Sequence, residues 1–400
     1  MTPSACAARR ASRAAAPAIA SPIPLLALLG LLVLSAASPT PAAPQALAMQ
    51  PDLHGDVIAF AHAEDIWTVP ASGGVARRIT FHEGEEKAPK FSPDGKLIAF
   101  TGEYDGNTDV YVMNTEGGNI TRLTWHPGAD EVVGWHPVSG KVLFRSGRDS
   151  YSRFQRLFLI APDGSGLEAL PLPEAGWGAY NADGSLIAYT RVATEDRTWK
   201  RYRGGLAPDL YLYDVRSGTD RQLTNARGTE RFPMWIGGTL YYEADPDGVL
   251  NLYAMDPQSG ESRQLTRYTD YDAGRPSEGS GKIVYDRAGG LEIFDPATGQ
   301  AKAVPFQVLA DAPEARPYLK NVKDWITSIG LSPDGHRAVV VARGEVFTVP
   351  REKGVIRNLS RDAASRDKDA AWSPDGKRIA FFSDRTGEYE IFVTDPLGKE

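Results

Sequence analysis

The sequence predicts an all-β protein built from β-propeller blades, and three observations carry this prediction. A ten-residue phrase, Phe91 to Phe100, returns almost unchanged at residues 372–381. Copies of the repeated unit lie roughly 40–55 residues apart, which is the spacing of propeller blades. The chain after residue 50 has almost no sustained helical periodicity. A second phrase consists of a strand, a Gly-containing turn and an ending in an apolar residue and Thr, and its copies begin at Asp65, Asp109, Asp209 and Asn251.

Each phrase predicts a local structure. In Ser92-Pro93-Asp94-Gly95, Ser suits the first position of a turn, Pro fixes the backbone at the second, and Gly closes it. The following run, Leu97 to Phe100, is continuously apolar and does not alternate. Continuous apolar runs are typical of strands that are covered on both faces. A propeller blade lies between two neighbours and is covered in this way.

The repeats predict the domain organisation. Residues 49–305 are expected to form a six-bladed propeller, residues 306–325 a linker, and residues 326–400 the first two blades of a second propeller. The alternative is a single eight-bladed ring. The last unit shows no outer strand before residue 400, which favours the first arrangement. The expected blades end at Thr80, Thr124, Leu170, Thr224, Thr266 and Val304.

The N-terminus predicts export. Residues 1–48 contain basic residues, a short apolar core and then small residues, which is the order of a secretory signal peptide. The apolar core is too short for a stable transmembrane helix. Cleavage after Ala48 is expected, with Ala37 as the alternative, and a disordered Ala/Pro-rich extension is the competing interpretation. Cys6 is the only cysteine and would be lost with the leader, so no disulfide or thiol nucleophile is expected.

Composition and motifs narrow the functional classes. The net charge of −7 argues against nucleic acid as the main partner. None of the six histidines belongs to a His-Glu-x-x-His motif, and neither a Gly-x-Ser-x-Gly elbow nor a phosphate-binding loop occurs. The sequence therefore predicts no catalytic residue, no metal site and no cofactor within this chain.

One segment interrupts the repeats. Residues 191–208 form an insertion in the fourth blade, where cations alternate with aromatics in an acidic protein. Long loops in compact repeats are often functional, and Arg binds carboxylates in a bidentate manner. We expect this loop to bind a peptide C-terminus or an acidic side chain. Alternatively, its cations pair with local acids such as Glu195 and Asp196. A second basic loop, residues 145–153, is a weaker candidate. The predicted substrate-binding residues are Arg197, Lys200, Arg201 and Arg203.

Taken together, these residues resemble the N-terminal part of bacterial tricorn-type proteases. The resemblance covers residues 54–400, and the order of a six-bladed propeller, a linker and new blades is also that of the family. The Ser-Pro-Asp-Gly turn alone is a weak signal, since many propellers carry it. More specific are Asp65 to Pro70, Phe100 to Asn107, Trp199 to Gly205 and Gly344 to Pro350.

The resemblance implies a function for the parent protein. Family members place a seven-bladed propeller second and carry the serine nucleophile and its histidine in later domains, so no catalytic residue transfers to this chain. The resemblance also implies that the propellers gate or sort peptide substrates and products. It further implies that the full-length protein forms a homo-oligomer, classically with a hexameric unit. Because the leader predicts export, the expected location of this protein is the periplasm, whereas the family archetype is cytoplasmic.

Two other functional classes fit the same repeats. One is a non-catalytic periplasmic propeller of the TolB type, which binds a protein partner. The other is the propeller of a prolyl-oligopeptidase-like or amidohydrolase-like enzyme. The first usually carries a small extra N-terminal domain, for which the sequence before Leu53 leaves no room. The second needs a Gly-x-Ser-x-Gly motif or metal-binding histidines downstream.

Overall fold

The computed structural model describes residues 47–151, 154–197, 200, 202, 204–310, 319–362 and 364–398. In this part of the chain the regular structure is β-sheet, apart from a short 3-10 helix at Lys323–Trp325. The all-β prediction is therefore confirmed. The chain divides into two compact units, Met1–Leu309 and Ala310–Glu400.

The described part of the first unit contains six antiparallel sheets, and each takes four strands in order from one continuous stretch of chain. Numbered along the chain, sheet 1 contains β1 (Met49–His54), β2 (Val57–His62), β3 (Asp65–Pro70) and β4 (Gly74–Arg78); sheet 2 contains β5 (Glu86–Phe91), β6 (Leu97–Tyr104), β7 (Asn107–Asn114) and β8 (Thr121–Arg122); sheet 3 contains β9 (Asp130–Trp135), β10 (Val142–Ser146), β11 (Arg156–Ile160) and β12 (Glu168–Ala169).

The same order continues in the next three sheets. Sheet 4 contains β13 (Trp177–Tyr180), β14 (Leu186–Thr190), β15 (Leu210–Asp214) and β16 (Thr219–Gln222); sheet 5 contains β17 (Glu230–Ile236), β18 (Thr239–Ala244), β19 (Asn251–Met255) and β20 (Ser262–Gln264); sheet 6 contains β21 (Gly274–Gly279), β22 (Lys282–Arg287), β23 (Gly290–Asp295) and β24 (Gln300–Val304). The fourth strands end within about two residues of the positions predicted from the repeats.

The second unit contains two further sheets in its described part. Sheet 7 has four strands and sheet 8 has three. Sheet 7 contains β26 (Ile326–Leu331), β27 (Arg337–Ala342), β28 (Glu345–Pro350) and β29 (Arg357–Asn358), and sheet 8 contains β30 (Asp367–Trp372), β31 (Ile379–Ser383) and β32 (Glu390–Thr394).

The second strands pack against both neighbouring sheets. Phe60 of β2 lies in a core cluster with Val284 and Leu291 of sheet 6, whereas the preceding residue, Ala59, lies in a cluster with Ile98 of sheet 2. Successive side chains of a strand point to opposite faces, so a strand between two sheets must be apolar at every position. This explains the continuous apolar runs and brings the last sheet of the unit against the first.

A short strand adds to the seam at which sheet 6 meets sheet 1. Phe306–Val308 forms β25, which pairs in parallel with β4, and the Phe306 ring lies 5.3 Å from that of Phe60. The sequence analysis placed these residues at the start of the linker. They form a strand because the edge of β4 is free to pair and Phe306 reaches the apolar cluster at the seam between sheets 1 and 6. The first compact unit accordingly extends to Leu309.

The repeated phrases correspond to repeated hydrogen bonds. In the turn that begins at Ser92, Gly95 has a φ of +69°, the Ser92 hydroxyl donates to Asp94 at 2.7 Å, and it accepts from the amide of Leu97 at 3.0 Å. In the second phrase, the Thr80 hydroxyl accepts from the amide of Ile66 at 2.8 Å. The equivalent threonines are Thr124, Thr224 and Thr266.

Candidate functional site

The first strands of all six sheets in the first unit surround a central channel. Two cavities occupy it, a wide one of about 440 Å³ and a narrow one of about 40 Å³, and residues from β1, β5, β9, β13, β17 and β21 line both. The cavities meet at Lys90, Trp177 and Pro276, which line each of them. We call the wide cavity the funnel and the narrow one the constriction. The funnel lies at the end of the channel that carries the turn after Ser92.

Backbone bulges shape the constriction. Gln50, Ala88, Phe232 and Arg275 have φ between 44° and 52°, and each lies where the register of the first strand shifts against the second. Non-glycine residues in this left-handed region cost about 1 kcal/mol or more each and tend to cluster at functional sites. All four line the constriction. The Gln50 side chain also accepts a hydrogen bond of 2.8 Å from the amide of Ala88.

An ionic bridge crosses the constriction. The guanidinium of Arg145, on sheet 3, is buried and donates to Glu131, Glu195 and Asp196. Arg275, on sheet 6, donates to Asp196 at 3.2 Å and to the carbonyl oxygen of Glu195 at 3.3 Å. Glu195 and Asp196 belong to the insertion of sheet 4. The insertion therefore joins two other sheets at the axis through its acidic residues.

Further buried acids lie behind this bridge. Burial raises the pKa of Glu243 to about 7, although Arg231 pairs with the carboxylate and opposes the rise. Burial also raises the pKa of Asp286 to about 6, against the hydrogen bond of 3.1 Å that the Gln50 amide donates to it. These groups sit on second strands, one layer outside the channel. The constriction is thus a low-dielectric region in which a charged side chain is stable only when it is paired with a group of opposite charge.

Aromatic rings line the funnel. The indole of Trp135 donates to the carbonyl oxygen of Lys90 in the preceding sheet at 2.9 Å, and that of Trp235 donates to Ala179 at 3.0 Å. These bonds fix both rings against the neighbouring first strand. The complete aromatic lining is His54, Phe91, Trp135, Trp177, Tyr180 and Trp235. Such a surface can bind apolar groups and, through the ring faces, cations.

The structure gives partners to two of the four predicted substrate-binding residues. Arg197 donates to the carbonyl oxygen of Leu206 at 2.8 Å, and the ammonium of Lys200 donates to both carboxylate oxygens of Asp272 at 2.7 Å. Arg201 and Arg203 lie outside the described residues. The insertion begins after β14 and ends before β15, as the sequence analysis placed it.

The sequence analysis missed how the two candidate loops combine. The alternative interpretation paired Glu195 and Asp196 with the insertion's own cations, whereas Glu195 pairs with Arg145, a residue of the second basic loop fifty positions earlier. Arg148 of that loop pairs with the buried Asp130. The available signal was the occurrence of both loops at the same end of adjacent blades. The bulged residues have no sequence signal, because none of the four is a residue type that favours positive φ.

Three histidines of the first unit accept hydrogen bonds within their own turns. The Nδ1 atoms of His82 and His126 accept hydrogen bonds from Gly84 at 2.9 Å and Gly128 at 3.0 Å, two residues later in each case. His136 accepts from the amides of its own turn. Within the described residues, no group of three or more His, Cys, Asp or Glu side chains is arranged to hold a metal ion. No helix in that part of the chain is long and apolar enough to cross a membrane.

Four-stranded sheets around a lined central channel define the first unit as a β-propeller. Residues 45–300 match the family model of the tricorn protease N-terminal beta propeller domain. The chain belongs to this family, and the resemblance predicted from the sequence is confirmed.

Individual relatives agree with this assignment. The chain is 28% identical over 365 residues to tricorn protease homolog 1 of Streptomyces coelicolor, a match that covers 90% of this chain and 33% of the relative. It is 26% identical over 366 residues to the tricorn protease of Thermoplasma acidophilum, covering 86% of this chain and 34% of the relative. The chain thus spans about one third of these relatives.

A solved structure shows the same fold. The crystal structure of the tricorn protease superimposes with a TM-score of 0.64 at 22% sequence identity. The match covers 89% of this chain and 44% of that chain.

Proposed function

We propose that this chain is the propeller region of an exported tricorn-type serine peptidase and that it gates or sorts peptides for a serine-protease site elsewhere in the parent protein. The observation that carries the proposal is the channel: an aromatic funnel leads to a constriction crossed by the bridge between Arg145 and Glu195. A funnel of about 440 Å³ falls within the range of ligand pockets, about 300–1,000 Å³. The bridge restricts what passes beyond it.

The blade arrangement belongs to the same proposal. We propose that sheets 1–6 form one closed six-bladed ring. Sheets 7 and 8 are then the first two blades of a second, seven-bladed propeller that follows a linker. Closure of the first ring is supported at the seam, where the amide of Ala48 donates to Gly289 at 3.0 Å and that of Gln50 donates to Asp286. An eight-bladed ring would separate sheet 1 from sheet 6.

Export to the periplasm is the proposed location. The leader, residues 1–48, lies almost wholly outside the described residues. Its last residue, Ala48, is buried at the seam, and the carbonyl oxygen of Leu47 contacts His62 Nδ1 at 3.1 Å. Cleavage after Ala48 would remove both contacts. The alternative cleavage after Ala37 retains them, and we favour it for this reason.

Peptides are the proposed ligands, and the full-length protein is proposed to be a homo-oligomer. The cations of the insertion, Arg197, Lys200, Arg201 and Arg203, are proposed to recognise acidic groups of the peptide. For Lys200, this requires exchange of its bond with Asp272, which is a partly exposed pair with side-chain exposures of 45% and 31%. Exposed ion pairs are weak, so a peptide carboxylate can compete with Asp272.

Peptide binding by the complete 400-residue chain tests this proposal. Short fluorescent peptides are titrated by anisotropy and then assayed for cleavage; binding without turnover is expected. A Cβ at Gly134, which lines the funnel, meets no atom within 4 Å, so Gly134→Phe is chosen to place a bulky side chain in the funnel. We expect this variant to lose peptide affinity.

The matched control is Gly238→Phe, because Gly238 lies in the turn between β17 and β18, outside the funnel, and is equally open. It should bind peptides as the unaltered chain does. Equal affinity in Gly134→Phe and Gly238→Phe would reject the channel as the binding site.

A further inference from the structure

The funnel contains one acidic side chain that forms no ion pair within the described residues. Three residues of its lining are charged: Asp52, Lys90 and Glu278. The Lys90 ammonium donates to Asp52 at 3.3 Å and to the Ser277 hydroxyl at 2.7 Å. Asp52 also accepts from the amide of Phe91 at 2.7 Å. Lys90 and Asp52 therefore neutralise each other.

Glu278 has no such partner. It is the fifth residue of β21, is partly buried, and lies beside the seam between sheets 6 and 1. Within the described residues no cation forms an ion pair with its carboxylate. Burial raises the pKa of Glu278 to about 7, and the neighbouring charge of Asp52 adds to the rise, while a backbone hydrogen bond from Gly281 and the charge of Lys90 oppose it only in part. The carboxylate is thus held in an unfavourable environment while it faces a cavity with room for a ligand.

The aromatic rings that line the funnel also favour a cationic ligand. Phe91, Trp135, Tyr180 and Trp235 line the same cavity as Glu278, and ring faces attract cations and apolar groups. Among the described residues of the lining, an anionic ligand would have only the cation of Lys90, whose side chain is 12% exposed and already paired. Charge complementarity therefore selects a cation that is attached to an apolar group.

We propose that the funnel binds a peptide segment in which a cationic side chain lies next to an apolar or aromatic residue, with Glu278 pairing the cation and the aromatic rings holding its neighbour. This inference rests on the proposed function and adds to it a selectivity for peptide charge. The site differs from the insertion, whose cations are proposed to recognise acidic groups at the other end of the channel.

Three capped peptides test this inference by calorimetry on the complete chain at pH 8. Acetyl-Phe-Pro-Arg-amide, acetyl-Phe-Pro-Gln-amide and acetyl-Phe-Pro-Glu-amide differ only in the last side chain, which is cationic, neutral or anionic. The Arg peptide should bind about tenfold more tightly than the Gln peptide, as expected for one charge-assisted hydrogen bond, and the Glu peptide should bind most weakly. Glu278→Gln should remove the preference for Arg.

Glu261→Gln is the matched control, since Glu261 is exposed in the turn between β19 and β20 and outside the funnel. It should keep the preference. Trp135→Leu should weaken all three peptides by a similar factor, which provides a second variant should Glu278→Gln fail to fold. Equal binding of the three peptides, or a preference for the Arg peptide that survives in Glu278→Gln, would overturn this inference but not the proposed function. Failure of all three peptides to bind would overturn the proposed function as well.

Discussion

Arg145 and Glu195, fifty residues apart in the chain, form a buried ion pair between sheets 3 and 4, with side-chain exposures of 5% and 4%. Their pairing places an insertion that interrupts the repeats directly at the axis of the ring. The channel narrows at this pair, and on the other side of it the wall is aromatic. The proposed gating of peptides depends on this arrangement.

The first prediction concerns the bridge itself. Arg145→Met should lower the free energy of unfolding by about 3–5 kcal/mol, because it leaves the buried carboxylate of Glu195 and the partly buried carboxylate of Glu131 without their cation. Urea denaturation followed by fluorescence measures this change. In the control Arg77→Met, the lost partner is Glu116 in an exposed pair, and a change below about 1 kcal/mol is expected. Similar small effects of both substitutions would show that the bridge does not stabilise the ring.

The second prediction concerns pH. Burial, reinforced by the charges of Asp209 and Asp245, raises the pKa of Glu230 to about 7 from 4.5. The folded protein then holds this proton more tightly than the unfolded chain does. The stabilisation is complete below about pH 4.5 and is lost as the pH rises through 7, by up to about 3 kcal/mol.

Thermal unfolding between pH 5 and pH 8.5 measures the effect. Glu230→Gln cannot ionise, so its midpoint should decline less with rising pH than that of the unaltered chain. Glu261→Gln, which alters an exposed carboxylate, should follow the unaltered chain. A pH profile unchanged by Glu230→Gln would contradict the assignment.

The third prediction concerns the seam. Phe306→Ala should destabilise the first unit by about 1–3 kcal/mol, because Phe306 packs edge-on against Phe60 and joins the cluster between sheets 1 and 6. Phe81→Ala removes an equally large ring that is 72% exposed and should have little effect. Equal midpoints for the two variants in urea denaturation would place β25 outside the stable ring.

The fourth prediction concerns processing. A mature chain that begins at Ser38 retains the seam contacts of Leu47 and Ala48, whereas one that begins at Met49 loses them. N-terminal sequencing of the protein recovered from a periplasmic fraction should therefore give Ser38. A mature N-terminus at Met49 would show that the seam tolerates this loss, and thermal unfolding of the two forms would measure its cost.

The repeats allowed much of the fold to be predicted from the sequence. The turn from Ser92 to Gly95 and the threonines at the ends of the fourth strands make local hydrogen bonds, and local bonds require fixed residues at fixed spacings. The insertion was recognisable because it interrupts that spacing. These features depend on few residues, all near one another in the chain.

The channel could not be predicted in the same way. The bulges at Ala88 and Phe232 place residues in a conformation that neither residue type favours, because the packing of neighbouring sheets imposes it. The bond between Arg145 and Glu195 joins sheets whose relative position only the closed fold determines. For the same reason β25 lies in a segment whose composition resembles a linker.

Photocrosslinking is the most direct test of the central claim, that peptides enter the channel of the first unit. The complete chain is irradiated with acetyl-benzoylphenylalanyl-Pro-Arg-amide, and the modified residues are located by mass spectrometry. The account predicts an intact peptide attached to the first strands, notably at Trp135 and Met234, which line the funnel. Crosslinks concentrated on the fourth strands β16 and β24, or cleavage of the peptide, would contradict it.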